Sequence, residues 1–118
     1  MGIKVTRLYK GRDGESHFED TELPLVCKSV GIQDLEPIKA TEIIFREVDG
    51  NLHMDWHNAP RRQFIIILEG GLEIEIGSGT KRRFCFGDIL LAEDTTGKGH
   101  ITRSVKNQPR KLIIVPLA

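Results

Sequence analysis

Short runs of alternating or β-branched residues dominate this chain, and each run is closed by a turn residue before the next one begins. The segment 72–76, LEIEI, alternates without interruption, and the segment 4–9, KVTRLY, has a similar pattern. No stretch of about ten or more residues repeats apolar side chains at the helical period between recognisable caps. Turn signals recur about every eight to twelve residues, which is typical of a β-sandwich or barrel. The sequence therefore predicts an all-β fold.

The strongest apolar run, FIIIL at residues 64–68, contains consecutive β-branched isoleucines and ends just before a Gly-Gly pair. This composition predicts a buried strand. Residues 72–76 and 81–86 flank a Gly-Ser-Gly turn and predict a hairpin. Asp49-Gly50 is another strong hairpin signal, so we expect residues 42–48 to pair with residues 51–57.

The composition sets bounds on the kind of protein. With 118 residues the chain is long enough for one domain, 1–118, with its own core. Its 17 basic and 17 acidic residues balance, which gives no reason to expect nucleic acid or an anionic membrane as a partner. No apolar run approaches the ~20 residues of a spanning helix, and the N-terminus lacks the apolar region of a signal peptide. We expect a cytoplasmic protein with Cys27 and Cys85 reduced and Cys85 in the core.

A polar cluster leads directly into the buried run. In an extended segment, His53, Asp55 and His57 fall on one face, because successive side chains of a strand alternate. Two histidines with a carboxylate between them can form a metal or acid/base site. The alternative is the polar end of a strand in an antiparallel sheet, and the spacing alone leaves both interpretations open.

Two segments resemble the paired sequence motifs of the cupin family. The first family motif contains a His-x-His pair, a glutamate and a closing glycine. In this chain His57 matches the first histidine, Ala59 replaces the second, Gln63 replaces the glutamate and Gly70 matches the glycine.

The second family motif begins with a glycine and ends with a histidine followed by an asparagine. The segment 87–91, GDILL, fits the opening, and Glu93-Asp94 replaces the usual proline. After a longer loop, His100 matches the histidine and Ser104 stands where the asparagine is expected.

This resemblance implies a cupin double-stranded β-helix, or jelly-roll barrel, with residues 1–39 as N-terminal strands and a connection, and residues 40–116 as the barrel core. It also implies a homodimer and a small organic molecule as ligand or substrate. Cupins host many chemistries, so the resemblance leaves a metal-dependent isomerase, lyase or dioxygenase open. The alternative is a metal-free cupin that binds or senses a small molecule without catalysis.

The resemblance also assigns candidate residues. A divalent ion (Fe, Mn, Ni or Zn) would be held by His57, Gln63 and His100, with an amide in place of the family's carboxylate. The alternative is a metal-free site in which Gln63 hydrogen-bonds both imidazoles. His53 is the candidate for proton transfer. The candidates for contacts to the substrate are apolar, hydroxyl-bearing and charged side chains: Ile65, Ile67, Thr102, Ser104, Asp55 and Arg61.

Overall fold

The computed structural model describes residues 2–118 and confirms the all-β class. Within that range the chain forms twelve strands and no helix. The strands are β1 Ile3–Lys10, β2 Ser16–Leu23, β3 Val26–Ser29, β4 Ile32–Asp34, β5 Ile44–Val48, β6 Met54–His57, β7 Gln63–Glu69, β8 Gly71–Glu75, β9 Lys81–Cys85, β10 Ile89–Ala92, β11 His100–Ser104 and β12 Arg110–Pro116.

The larger sheet has six strands in the order β2-β1-β10-β7-β12-β5. The apolar run predicted as a buried strand forms β7, which pairs antiparallel with β10 on one side and β12 on the other. The strand is therefore confirmed, with both edges occupied, but its predicted burial is only partly confirmed, since Ile67 alone of residues 64–68 is buried and Leu68 is 41% exposed. In register, Gln63 at the start of β7 pairs with Ala92 and Pro116.

The second sheet has four strands in the order β6-β11-β8-β9, and a separate pair is formed by β3 and β4. The predicted hairpin around the Gly-Ser-Gly turn is confirmed, because β8 and β9 pair antiparallel. β11 lies between β8 and β6 and pairs antiparallel with both.

The hairpin predicted at Asp49-Gly50 is wrong. β5 pairs with β12 in the six-stranded sheet, whereas β6 pairs with β11 in the four-stranded sheet. The glycine meets a different demand, since a Cβ added at Gly50 would lie 2.1 Å from the backbone oxygen of Asn107. Gly50 therefore permits two backbone segments to approach each other closely, and the chain crosses from one sheet to the other after it.

The hydrophobic core contains residues of both large sheets, so the two sheets pack face to face. β1, β7, β10 and β12 contribute Leu8, Ile67, Leu90, Leu112 and Ile114. β8 and β9 contribute Leu72, Ile74 and Phe84 from the opposite side. The expectation that Cys85 lies in the core is wrong, because alternation along β9 turns Phe84 inward and leaves Cys85 exposed.

Residues 2–118 contain no helix with the length and hydropathy needed to cross a bilayer.

The arrangement of the two sheets brings polar side chains together. The inward-facing positions near the start of β7, the end of β6 and the start of β11 meet at one end of the space between the sheets.

Candidate functional site

A cavity of about 900 Å³ opens between the two sheets. Its walls are largely aliphatic and come from β7, β8, β10 and β12, with Ile65, Leu72, Ile74, Leu90, Leu112 and Ile114 among the lining residues. The polar residues that line the same space include five that are buried or half-buried: His57, Gln63, His100, Thr102 and Arg110. An apolar cavity with a few convergent polar groups is the usual form of a small-molecule site.

The two imidazoles of the cavity lie side by side because of strand register. His57 at the end of β6 is the cross-strand partner of His100 at the start of β11, and the two ring centroids are 4.4 Å apart. Gly99 makes this approach possible, since a Cβ there would lie 2.1 Å from the backbone oxygen of His57. Gly99 also has a φ of +78°, a left-handed conformation that glycine adopts without strain.

Each imidazole donates a hydrogen bond through Nδ1. The acceptor for His57 is the backbone oxygen of Asp55 at 2.7 Å, and the acceptor for His100 is Oδ2 of Asp94 at 2.6 Å. A carbonyl or carboxylate oxygen only accepts, so the proton in both pairs belongs to Nδ1. In the neutral rings the lone pair is therefore on Nε2, the nitrogen that would bind a metal or accept a proton.

Asp94 holds His100 from within the core. Its side chain has no exposed surface, and its Oδ2 also accepts a hydrogen bond from the hydroxyl of Ser16 at 2.7 Å. Oδ1 of Asp94 is buried and has no hydrogen-bond donor within residues 2–118. The orientation of His100 is therefore fixed by β11, by the loop before it and by the first residue of β2.

The neighbouring carboxylate anchors the segment that carries Asp94. Glu93 accepts hydrogen bonds from Arg7 on β1 and from Arg62, just before β7. Burial acts to raise the pKa of Glu93, but these two guanidinium groups outweigh it and hold that pKa below its usual 4.5. The ion pairs thus tie β1 and the start of β7 to the residue beside Asp94.

Several of the predicted site residues lie around the cavity. The predicted metal ligands His57, Gln63 and His100 all line it, as do Ile65 and Thr102. Gln63 is buried, with 7% of its surface exposed, but the described hydrogen bonds of both imidazoles go to other groups.

Other predicted site residues have different surroundings. Ile67 is buried in the core, and Ser104 donates a hydrogen bond to the backbone oxygen of Gly50. His53 and Asp55 are exposed, outside the residues that line the cavity, and the Asp55 carboxylate caps the backbone N–H of Trp56. Arg61 is also exposed and is paired with Glu42 at 2.7 Å. The cluster of His53, Asp55 and His57 is therefore divided, and only His57 faces the cavity.

Three residues of the site were missed from the sequence: Ser16, Asp94 and Arg110. No local pattern connects Ser16 with Asp94, which is 78 positions away. Arg110 did carry a signal, because it shares a strand face with Leu112 and Ile114, two core residues. Burial lowers the pKa of its guanidinium from the usual value.

The donor set for a metal ion is small. In the part of the chain that the structure describes, no three His, Cys, Asp or Glu side chains converge as a metal-binding group. The donor set that the sequence predicts, the imidazole pair and the Gln63 amide, contains no carboxylate. A second, smaller depression of about 490 Å³ over β1, β2 and β9 contains none of the histidines.

Comparisons with known proteins support the fold alone. No family model matches the chain, and no curated protein matches it. Among solved structures, the crystal structure of protein NMB1881 from Neisseria meningitidis is similar, with a TM-score of 0.51 and 14% identity. The match covers 75% of this chain and 91% of that chain. The chain is therefore an all-β protein with a fold like that of NMB1881.

Proposed function

We propose that this chain is a cupin-like, metal-dependent enzyme that binds a small organic molecule in the cavity between its sheets. The observation that carries the proposal is the pair of imidazoles at one end of the cavity, with their centroids 4.4 Å apart. His57 and His100, with the amide oxygen of Gln63, are the proposed ligands of a divalent ion.

The hydrogen bonds behind the imidazoles favour this proposal. Histidine ligands of metals commonly donate the other ring N–H to a carboxylate or backbone carbonyl, which fixes the tautomer and the ring orientation. His100 has a carboxylate partner in Asp94, and His57 has a carbonyl partner in Asp55. These hydrogen bonds therefore fix the orientation of both rings and leave both Nε2 atoms free to bind an ion.

The donor set fits a divalent ion with open coordination positions. Two imidazole nitrogens and one amide oxygen leave room for water and for a ligand oxygen. When bound, the ion would act as a Lewis acid on an oxygen of the organic molecule. The protein contributes the largely apolar walls, the fixed imidazoles and the hydroxyl of Thr102, which is 8% exposed.

The cupin-like jelly roll is part of the proposal. It is supported by two facing sheets with a cavity between them, and by the positions of His57, Gln63 and His100 around that cavity. Cys27 and Cys85 are exposed free thiols, which supports a reducing, cytoplasmic location.

A second candidate function is metal-free binding of a small molecule without catalysis. It is favoured by the neutral amide of Gln63 in place of a carboxylate, because an amide adds no charge to offset desolvation of the ion. In that case the two Nε2 atoms accept hydrogen bonds from the ligand.

Metal content separates the two candidates. We expect near-stoichiometric metal by elemental mass spectrometry in untagged protein purified without chelator, and loss of that metal in the His57→Ala/His100→Ala double variant. The matched control is His17→Ala/His53→Ala, which also removes two histidines but leaves the cavity unchanged. Absence of metal in the parent after exposure to Fe(II), Mn(II), Ni(II) and Zn(II) would reject the enzyme proposal and favour the second candidate.

A further inference from the structure

Arg110 is a buried cation in the wall of the cavity. It is the first residue of β12, is 3% exposed, and lies on the same strand face as Leu112 and Ile114, which also line the cavity. The strand pairs at this point with Val48 of β5. Its backbone is therefore fixed in the sheet, and its side chain is buried in the cavity wall.

Two of the three guanidinium nitrogens of Arg110 lack a partner in the part of the chain that the structure describes. Nε and Nη1 are buried without a hydrogen-bond acceptor within residues 2–118, and no ion pair to this side chain exists there. Six other arginines each contact a carboxylate: Arg7, Arg61, Arg62, Arg82, Arg83 and Arg103. Because arginine stays protonated in proteins, a buried unpaired guanidinium is costly unless an anion joins it.

We propose that Arg110 is the anchor for the carboxylate of a small organic acid that fills the cavity. This inference rests on the proposed function and specifies the class of molecule bound at that site. A guanidinium matches a carboxylate with two parallel hydrogen bonds, and these are strong in an apolar surrounding.

The position of Arg110 constrains the shape of the acid. Along β12, Arg110 is six positions from Pro116, so the Cα atoms of these two residues are roughly 20 Å apart. Pro116 is the cross-strand partner of Gln63. On the facing sheet, Ser104 contacts Gly50, which lies two residues after Val48, the cross-strand partner of Arg110. His100 is four positions from Ser104 along β11, which corresponds to roughly 13 Å. Arg110 and the imidazole pair thus occupy opposite ends of the cavity, with aliphatic walls between them.

This geometry selects an elongated acid. Its carboxylate would contact Arg110, its chain would pass between Leu72 on one sheet and Leu112 on the other, and its far end would reach the imidazoles. Arg46, Glu47 and Asp49 also line the cavity, but all three are exposed and screened by water. One buried positive charge favours one carboxylate over a doubly charged group.

The test uses straight-chain monocarboxylates from acetate to decanoate and the primary alcohols of the same lengths, titrated calorimetrically into the parent protein. We expect affinity for the acids to rise about fourfold per methylene until the chain reaches the imidazoles. We expect the matching alcohols to bind about tenfold or more weakly, because they cannot form the charged bidentate contact. A parent protein that binds alcohols as well as acids would overturn the proposal.

Two variants locate the contact. Arg110→Met should lose the preference for acids over alcohols and should keep or raise the melting temperature, because it removes an unpaired buried charge. Lys111→Met, at the exposed next position of β12, should behave as the parent does. Unchanged preference in Arg110→Met would overturn the proposal. If that variant does not fold, the comparison of acids and alcohols on His57→Ala/His100→Ala decides the question, because loss of the acid preference there would overturn the proposal.

The same titration on His57→Ala/His100→Ala separates this inference from the proposed function. If acid binding persists in this variant and the parent protein holds no metal, the proposal that Arg110 anchors the acid is supported and the proposed metal site is rejected. If the parent protein holds metal but binds none of the acids, the metal site is supported and the proposal that Arg110 is an anchor is rejected.

Discussion

Asp94 is the residue on which the imidazole pair depends most directly. Its carboxylate is fully buried, and its Oδ2 accepts hydrogen bonds from Nδ1 of His100 at 2.6 Å and from the hydroxyl of Ser16. An asparagine at this position keeps an acceptor oxygen but removes the negative charge behind the ring. Carboxylates that hold a histidine ligand in this way commonly strengthen metal binding, so the effect of this substitution reports on the function of the pair.

We expect Asp94→Asn to weaken binding of Zn(II) by about 10- to 100-fold, as loss of such a supporting group commonly does. The measurement is a competition titration against a chromophoric chelator. The control is Asp88→Asn, because Asp88 caps the backbone N–H of Cys85 outside the cavity at 2.8 Å. Equal affinity in parent and Asp94→Asn would mean that Asp94 has a purely structural role.

Glu93 makes the stability of the fold depend on pH. Burial acts to raise its pKa, and the guanidinium groups of Arg7 and Arg62 outweigh it, so the folded-state pKa lies below the usual 4.5. A depressed carboxyl pKa stabilises the fold above the unfolded value and loses this contribution as pH falls through the folded value. We expect Glu93→Gln to lower the free energy of unfolding at pH 7 by about 1–2 kcal/mol and to flatten its decline below pH 4.5.

The measurement is urea unfolding between pH 7 and about pH 3. Glu42→Gln is the control, because Glu42 is paired with Arg61 but is exposed, and its substitution should change little. If the free energy of unfolding of Glu93→Gln falls as steeply with decreasing pH as that of the parent, this explanation is contradicted.

At the scale of elements, the site depends on the close contact between the end of β6 and the start of β11. Gly99 has a φ of +78° and would place a Cβ 2.1 Å from the His57 backbone oxygen, whereas Gly79 has a φ of +90° and open space around it. Gly79→Ala should therefore cost about 1–2 kcal/mol of backbone strain. Gly99→Ala should cost a further 1–3 kcal/mol, roughly, because the strands must move apart.

Urea unfolding and Zn(II) binding test this pair of variants together. Gly99→Ala should also lose metal affinity, since His57 moves away from His100, and Gly79→Ala should retain it. Similar losses of stability in the two variants, with metal affinity intact, would show that the approach of β6 to β11 does not position the imidazoles.

The elements show which features were predictable from the sequence. Local patterns were sufficient for β7 and for the β8–β9 hairpin, because alternation and turn residues act over a few positions. The Asp49-Gly50 turn misled because its glycine serves a contact with Asn107, on a distant part of the chain. Likewise, Ser16 reaches the site only through the pairing of strands far apart in sequence. Arg110 was within reach of the alternation rule, since it occupies an inward position of β12.

For the whole molecule, the proposed relation to cupins implies a homodimer. The chain has a mass of 13.3 kDa, so we expect light scattering coupled to size exclusion to report about twice this value. The β3–β4 pair belongs to neither large sheet and exposes Val26, Val30 and Ile32. A mass near 13.3 kDa across the accessible concentration range would contradict the dimer and leave the cavity proposal unaffected.

The two large sheets together create the space on which the whole account depends. The cavity of about 900 Å³ between them is lined by both imidazoles and by Arg110, whose Nε and Nη1 have no hydrogen-bond partner within residues 2–118. A packed sandwich with no ligand would gain stability by filling this space with side chains. The cavity and its polar ends are therefore the features that a proposed function has to explain.

The most direct measurement is an anomalous difference map from crystals of the protein soaked with Co(II) or Zn(II). We expect one strong peak inside the cavity, within about 2.0–2.2 Å of Nε2 of both His57 and His100 and close to the side chain of Gln63. A map with no peak between the two imidazoles, or with peaks only at surface residues such as His17 and His53, would contradict it.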